Sequence, residues 1–148
     1  MNMLQETQTR LSYEIALYRE QMIMLQKEME RISLTMLDLS NALRTVENLR
    51  NDNSFIPIGG GAYIKGIVEG DQVIVPIGAE YMVEMERGEA RIELSRRVDS
   101  TKKAVERLKE EFDKISIKLR DVAERLKGVE VSSRIDKQVE ESASDDYI

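Results

Sequence analysis

The chain has 148 residues, a formal net charge of −6, and neither cysteine nor histidine. These features exclude a disulfide framework and thiolate or imidazole metal ligands, and they remove the commonest general base. Aromatic residues are 5% and charged residues 34%, which favours thin helical packing over a thick globular core. No apolar run approaches the ~20 residues that span a bilayer, so we expect no membrane association and a cytoplasmic location.

The first predicted element is a helix over residues 3–50. Apolar side chains recur there at alternating spacings of four and three, and no proline or glycine precedes Pro57. A sustained period of 3.5 residues is typical of helices that pack as a coiled coil. We call these positions the first seam: Leu11, Ile15, Tyr18, Met22, Leu25, Met29, Ile32, Met36, Leu39, Leu43 and Val46.

Residues 55–86 form a different kind of segment, with short strands separated by glycine turns. The sequence Pro-Ile-Gly occurs at 57–59 and again at 76–78, and the pattern predicts two hairpins. A small sheet folded onto the helices is one interpretation. We favour strands completed by other subunits, because nothing else in the chain covers them. The assembly residues predicted on this basis are Ile56, Ile58, Tyr63, Ile64, Ile67, Val73, Ile74, Val75, Ile77, Tyr81, Met82 and Val83.

A second helix is predicted over residues 88–131, with Gly88 as its N-cap. Its apolar positions repeat the alternating spacing, with Thr101 as the polar exception. We call them the second seam: Leu94, Val98, Thr101, Val105, Leu108, Phe112, Ile115, Leu119, Val122, Leu126 and Val129. Residues 132–148 are rich in serine and acidic residues, and we expect a disordered acidic tail there.

The two seams have matching lengths, so the simplest partner of each helix is the other, packed antiparallel. Val46 is then expected opposite Leu94, and Leu11 opposite Val129. Beyond that pair the second seam continues with Ser133 and Asp136, so the pairing fails. Apolar side chains without a partner there would form an adaptable contact surface, although ordinary fraying of the helix ends is an equally simple interpretation. The candidate contact residues are Met3, Leu4, Leu11, Val129, Val131 and Ile135.

The strand segment also resembles a known family. Residues 56–66 and 73–84 are similar to the two hairpins of the alpha subunit of prefoldin, and the resemblance covers residues 3–130. Two hairpins indicate the alpha class, since beta subunits have one. Pro76 and Glu80 depart from the family pattern, in which an acidic and a small residue are usual.

The resemblance implies a mainly α fold, in which a long antiparallel two-helix coiled coil is joined by two short β-hairpins that assemble into an intersubunit β-barrel. It further implies an ATP-independent chaperone of two alpha and four beta subunits. The tips of the coiled coils would hold non-native polypeptides and deliver them to a group II chaperonin. The six candidate contact residues would then be client-binding residues.

Three other functions are alternatives to this one. A structural or adaptor coiled coil would bind one folded partner. A nucleic-acid-binding arm would need a basic stripe, and the charge pattern supplies none. An enzyme has little support, because Glu69 and Asp71 flank Gly70 as ordinary turn residues and Gly59–Gly61 lacks the lysine of a phosphate loop. We therefore expect no catalytic residue, metal or cofactor.

Overall fold

The computed structural model describes residues 2–145 of the chain. Two long helices flank four short strands along the sequence, which confirms the predicted mainly α fold with two hairpins. The elements are α1 (Met3–Glu47), β1 (Asn53–Gly59), β2 (Ala62–Ile67), β3 (Gln72–Gly78), β4 (Tyr81–Glu86) and α2 (Arg87–Asp145).

Helix α1 has polar residues at both ends. The Asn2 side chain accepts a hydrogen bond from the Leu4 N–H at 3.4 Å, as an N-cap does. At the other end, Nδ2 of Asn48 donates to the Arg44 carbonyl oxygen at 2.8 Å. The backbone N–H of Asn48 donates to the same oxygen at 3.1 Å. Helix α1 ends at Glu47, slightly before the predicted position.

Helix α2 differs from the prediction at both ends. It begins at Arg87, directly after β4, so Gly88 lies inside its first turn and is not the N-cap. It also continues to Asp145, whereas the sequence predicted an end near 131 and a disordered tail over 132–148. Beyond Gly128 no glycine or proline interrupts it, and charges of opposite sign at Glu130/Arg134 and Lys137/Glu141 have the spacing of four that supports an exposed helix. Residues 146–148 of the predicted tail lie outside the described part of the chain.

The two hairpins share one geometry. Each is an antiparallel pair whose register shifts at one residue after its proline, between Pro57 and Gly59 in β1 and between Pro76 and Gly78 in β3. The two turn residues have positive φ in both hairpins, Gly60 and Gly61 in the first (58° and 77°), and Ala79 and Glu80 in the second (49° and 65°). A turn with positive φ at both central positions has a backbone twist that matches the twist of the two strands it joins.

The chain divides into two compact units, each with its own apolar cluster. One unit comprises residues 32–104, and its core is Val46, Val75, Ala90 and Leu94, with Leu39, Leu43, Val73 and Met85 packed against them. The other comprises the described parts of residues 1–31 and 105–148, and its core is Leu11, Ile15 and Val122, with Tyr18, Leu119, Leu126 and Val129 packed against them. The predicted partners Val46 and Leu94 share the first cluster, and Leu11 and Val129 belong to the second.

Burial follows the predicted seams. Every seam position on both helices is buried or half-buried. Six large apolar residues off the seams are exposed: Leu17, Ile23, Met24, Leu34, Leu37 and Ile117. The 3.5-residue period therefore identified the packed face of both helices.

Candidate functional site

The second hairpin lies against the helices of its own unit. Val75 is 2% exposed and packs with Val46, Ala90 and Leu94, and Val73 and Met85 contact the same cluster. Successive strand residues point to opposite faces, so Val73 and Val75 point inward while Ile74 is 60% exposed on the other face. The expectation that Val73 and Val75 await another subunit is therefore wrong, because the chain covers one face of this hairpin itself.

Arg97 fixes the same hairpin to α2. Its Nη1 donates to the Pro76 carbonyl oxygen at 2.7 Å, and its Nε donates to Oε1 of Glu93 at 2.9 Å. Arg96 Nη2 reaches the same carboxylate at 2.6 Å. The hydrogen bonds from Arg96 and Arg97 lower the pKa of Glu93 to about 2. Glu93 is thus held as an anion that orients Arg97 toward the strand.

The first hairpin has no buried residue between Asn53 and Ile67. Phe55 is 70% exposed on one face, and Ile56 and Ile64 are exposed on the other. Within the hairpin, Ile56 leans over Gly66, where an added Cβ would lie 2.6 Å from its Cδ1. An isolated hairpin is marginally stable in water, so this arrangement fits a partner from outside the chain.

Across both hairpins, a set of large apolar side chains remains uncovered. Apart from Val73 and Val75, all the predicted assembly residues are exposed: Ile56, Ile58, Tyr63, Ile64, Ile67, Ile74, Ile77, Tyr81, Met82 and Val83. An exposed apolar set of this extent is typical of an interaction surface rather than of scattered surface residues.

Exposed apolar side chains also occur at the start of α1 and in the last turns of α2. Met3 is 82% exposed, and Val131 and Ile135 are 52% and 54% exposed on α2. Val139 continues them at a spacing of four, at 60%. We call Met3, Val131, Ile135 and Val139 the terminal patch. Sequence reasoning missed Val139 because it assigned that region to a disordered tail, although the spacing of four from Val131 and Ile135 was a readable signal.

The remaining candidates in this region are less accessible. Leu4 and Val129 are half-buried along an open groove that also includes Leu11. Leu11 itself is 4% exposed in the apolar cluster with Ile15 and Val122. Its predicted contact role is therefore corrected, because a side chain packed inside the chain supports the neighbouring surface and offers none of its own.

The comparisons with known proteins decide the family. The family model described as prefoldin subunit matches residues 18–131. The chain belongs to the prefoldin family. Prefoldins are chaperones and not enzymes.

Curated relatives are prefoldin alpha subunits. The chain is 29% identical to the alpha subunit of Methanococcus aeolicus, over 62% of this chain and 65% of that protein. It is 26% identical to the Pyrococcus horikoshii alpha subunit, over 82% and 86%, and 29% identical to the Pyrobaculum calidifontis alpha subunit, over 79% and 91%. The match thus spans slightly less than two thirds of the Methanococcus relative and most of the other two.

Solved prefoldin structures share the fold. A filamentous prefoldin from Methanocaldococcus jannaschii superposes with a TM-score of 0.65 at 22% identity, covering 77% of this chain and 98% of that one. The beta subunit from Thermococcus strain KS-1 gives 0.59 at 16% identity, covering 86% and 92%. At these identities the structures support the architecture alone.

Residues 2–145 lack both a membrane-spanning helix and a cluster of metal-binding side chains. Neither helix in that range has a stretch apolar and long enough to cross a membrane. The same residues contain no group of three or more acidic side chains placed to hold a metal ion.

Proposed function

We propose that the chain is the alpha subunit of a prefoldin chaperone that holds non-native polypeptides without ATP. In this proposal the exposed hairpin residues join it to beta subunits, in the hexamer of two alpha and four beta subunits that the resemblance implies. The cytoplasmic location expected from the sequence belongs to the same proposal.

The observation that carries the holding function is the terminal patch. Its residues are exposed and apolar. Met3 can adapt to many sequences, since methionine has three rotatable side-chain bonds. Leu11 and Val129 belong to the apolar cluster of the same unit, which holds the neighbouring turns of both helices in place.

Each patch is small, so one contact with a client would be weak. Several alpha and beta subunits in one assembly would raise the effective concentration of contacts and make the hold useful. Release would then follow from competition and not from nucleotide hydrolysis. Delivery to a group II chaperonin, which the resemblance implies, would use this reversible binding.

The test compares two sets of substitutions in the assembled complex. The patch variant carries Met3→Ser, Val131→Ser, Ile135→Ser and Val139→Ser. The matched control carries Leu17→Ser, Met24→Ser, Leu34→Ser and Leu37→Ser, which are also exposed but lie elsewhere on α1. Aggregation of a denatured test protein is followed by light scattering after dilution.

The proposal expects the patch variant to assemble with beta subunits and to lose most of its suppression of aggregation, while the control retains it. Full protection by the patch variant would contradict the assignment of this surface. Failure of both the wild type and the control to slow aggregation, together with tight binding of a single folded protein, would favour an adaptor.

A further inference from the structure

The last part of α2 carries an exposed stripe that has the spacing of a packed seam. Arg125, Gly128, Ser132, Ile135 and Val139 follow one another at alternating spacings of three and four, and all five are exposed. The stripe lies beside the second seam, on a different face of the helix. A period of 3.5 residues on an exposed face is typical of a surface that packs against another helix.

A groove opens beside this stripe. It has a volume of about 460 Å³, and Leu4, Leu11 and Val129 give it an apolar floor. Gly128 leaves one wall open, because a Cβ added at this position would meet no atom within 4 Å. The groove therefore has room for an apolar side chain that comes from outside the chain.

The charge of the groove is positive. Arg10 and Arg125 line it, and no acidic side chain of residues 2–145 does so. Neither arginine forms an ion pair with another of the described residues. An occupant that carries carboxylates close to an apolar side chain is thus favoured over a neutral or basic one.

The last turns of α2 have this chemistry. Val139 is exposed, and residues 136–145 carry four acidic side chains and one lysine. Within one straight helix, however, Val139 lies eleven residues from Gly128, which is about 16 Å. The side chain of Val139 cannot reach the groove of its own chain, whereas the same side chain of a second copy can.

An antiparallel second copy fits the stripe in one register. When Val139 of the second copy lies opposite Gly128, Ile135 of the second copy lies opposite Ser132, and two-fold symmetry repeats both contacts. Each contact sets a large side chain against a small one, as knobs-into-holes packing requires. A shift by one heptad instead sets Ile135 against Arg125 and Gly128 against Ser132, which leaves the groove unfilled.

We propose that the last turns of α2 dock antiparallel on the same turns of a second copy, with Val139 of each copy in the groove beside Gly128 of the other. The pairing joins free chains or chains of different assemblies. It covers Ile135 and Val139 of the terminal patch until a non-native polypeptide displaces the second copy. The displacement rests on the proposed function, whereas the pairing does not.

The test uses disulfide cross-linking, because the chain has no cysteine of its own. Full-length chains with Gly128→Cys and chains with Val139→Cys are mixed under mild oxidation, and the rate of covalent dimer formation is measured. A mixture of Ile117→Cys and Val139→Cys chains is the matched control, since Ile117 is also exposed on α2 but lies away from the stripe. Circular dichroism shows that each variant is folded.

We expect the 128/139 mixture to cross-link at least about tenfold faster than the 117/139 mixture, because pairing raises the effective concentration of the two thiols. Chains with Gly128→Cys alone should not link rapidly, since like positions lie about 16 Å apart along the paired helices and a disulfide needs Cα atoms within about 7 Å. Equal rates for the two mixtures overturn the pairing. Faster linking of an Ile135→Cys and Val139→Cys mixture overturns the register and the role of the groove.

A second arm tests the charge of the groove. Adding Arg10→Glu and Arg125→Glu to the Gly128→Cys chain should slow its cross-linking to Val139→Cys by at least about fivefold, because the acidic last turns of the second copy are then repelled. Adding Arg107→Glu and Arg120→Glu, which are exposed outside the groove, is the control and should change the rate by less than about twofold. Equal slowing by both pairs of substitutions contradicts charge recognition in the groove.

The third arm adds an excess of a denatured test protein to the 128/139 mixture. Competition for the terminal patch should slow cross-linking by at least about fivefold. If the wild-type chain suppresses aggregation but the test protein leaves cross-linking unchanged, the displacement is overturned and the proposed function stands. If cross-linking is fast and specific but the wild-type assembly protects no client, the proposed function fails and the pairing stands.

Discussion

The Nε of Arg87 donates a hydrogen bond of 3.1 Å to the carbonyl oxygen of Val46, which joins the first residue of α2 to the last turn of α1. Carbonyls in the last turn of a helix lack a partner inside the helix. A cation there also interacts favourably with the negative end of the helix dipole. Nη2 of the same guanidinium is buried without a hydrogen-bond partner within residues 2–145.

We expect Arg87→Ala to lower the free energy of unfolding by about 1–2 kcal/mol, through loss of this bond and of the packed side-chain stem. Arg87→Met keeps most of the stem and removes the unsatisfied Nη2, so it should cost less than Arg87→Ala. Urea denaturation followed by circular dichroism measures both. A larger loss with methionine than with alanine would contradict this account of Arg87.

The seams predict a contrast between two leucines. Leu94 is 6% exposed in the cluster with Val46 and Val75, whereas Leu34 is 68% exposed off the seam. Leu94→Ala should cost about 2–4 kcal/mol, and Leu34→Ala should change the free energy of unfolding by less than about 0.5 kcal/mol. Equal effects in chemical denaturation would show that the helices pack through a different face.

Val75 and Ile74 are neighbours on opposite faces of β3 and provide another contrast. Val75→Asp buries a charge without a partner, so we expect it to destabilise residues 32–104 by several kcal/mol. Ile74→Asp places the charge on the exposed face and should leave the melting temperature of the free chain nearly unchanged. Normal folding of the Val75→Asp variant, judged by thermal melting, would contradict the packing of this hairpin on the helices.

The charge of Glu93 makes the stability of the folded chain depend on pH. Its pKa in the folded chain is lowered to about 2 by the bonds from Arg96 and Arg97, from an ordinary value of 4.5. A lowered pKa means that the carboxylate stabilises the folded state at pH values above 4.5, and that this contribution is lost as the pH falls toward about 2.

Glu93→Gln should therefore be less stable than the wild type at neutral pH, and the difference should shrink between pH 4.5 and about 2. Because the carboxylate is reached by solvent, added salt should also reduce the difference. Denaturation of both proteins across this pH range measures it. A difference that stays constant down to the acid end of the range would show that Glu93 acts by shape and not by charge.

The turn of the second hairpin is an expected site of stabilisation. Ala79 and Glu80 have φ of 49° and 65°, while the first hairpin has glycine at both equivalent positions. The double substitution Ala79→Asn with Glu80→Gly should stabilise the chain by about 1 kcal/mol, because asparagine and glycine tolerate positive φ. Thermal melting tests this. Gly60→Val in the first turn should instead lower the melting temperature.

The fold was largely readable from the sequence because two different periods each imply one structure. A spacing of 3.5 identified the packed face from Leu11 to Val129, and the repeated Pro-Ile-Gly located both hairpins. The predictions were wrong where tertiary contacts, and not the local sequence, determine which side chains are buried. Nothing in the composition of β3 distinguishes Val75, which packs on α2, from Ile74, which does not. Arg97 also gave no signal, since its contact with Pro76 joins residues that are 21 positions apart.

The end of α2 was misjudged for a local reason. Serine and acidic residues after position 131 have the composition of a disordered segment, but charges spaced by four and the absence of glycine or proline support a helix through Asp145. The terminal patch was therefore predicted only in part, and its last member was missed.

The two apolar clusters differ in the length of chain that must loop before they can form. Val46 and Leu94 are 48 residues apart, whereas Leu11 and Val122 are separated by 111. Loop-closure entropy makes the longer closure costlier by about 0.7 kcal/mol if each forms independently, and far less if the nearer contacts are already in place. Folding is then expected to start with the hairpins and the cluster around Val75, with the terminal cluster forming last. During synthesis, the residues around Leu11 leave the ribosome well before Val122 exists, so the first seam remains exposed until the second helix is made.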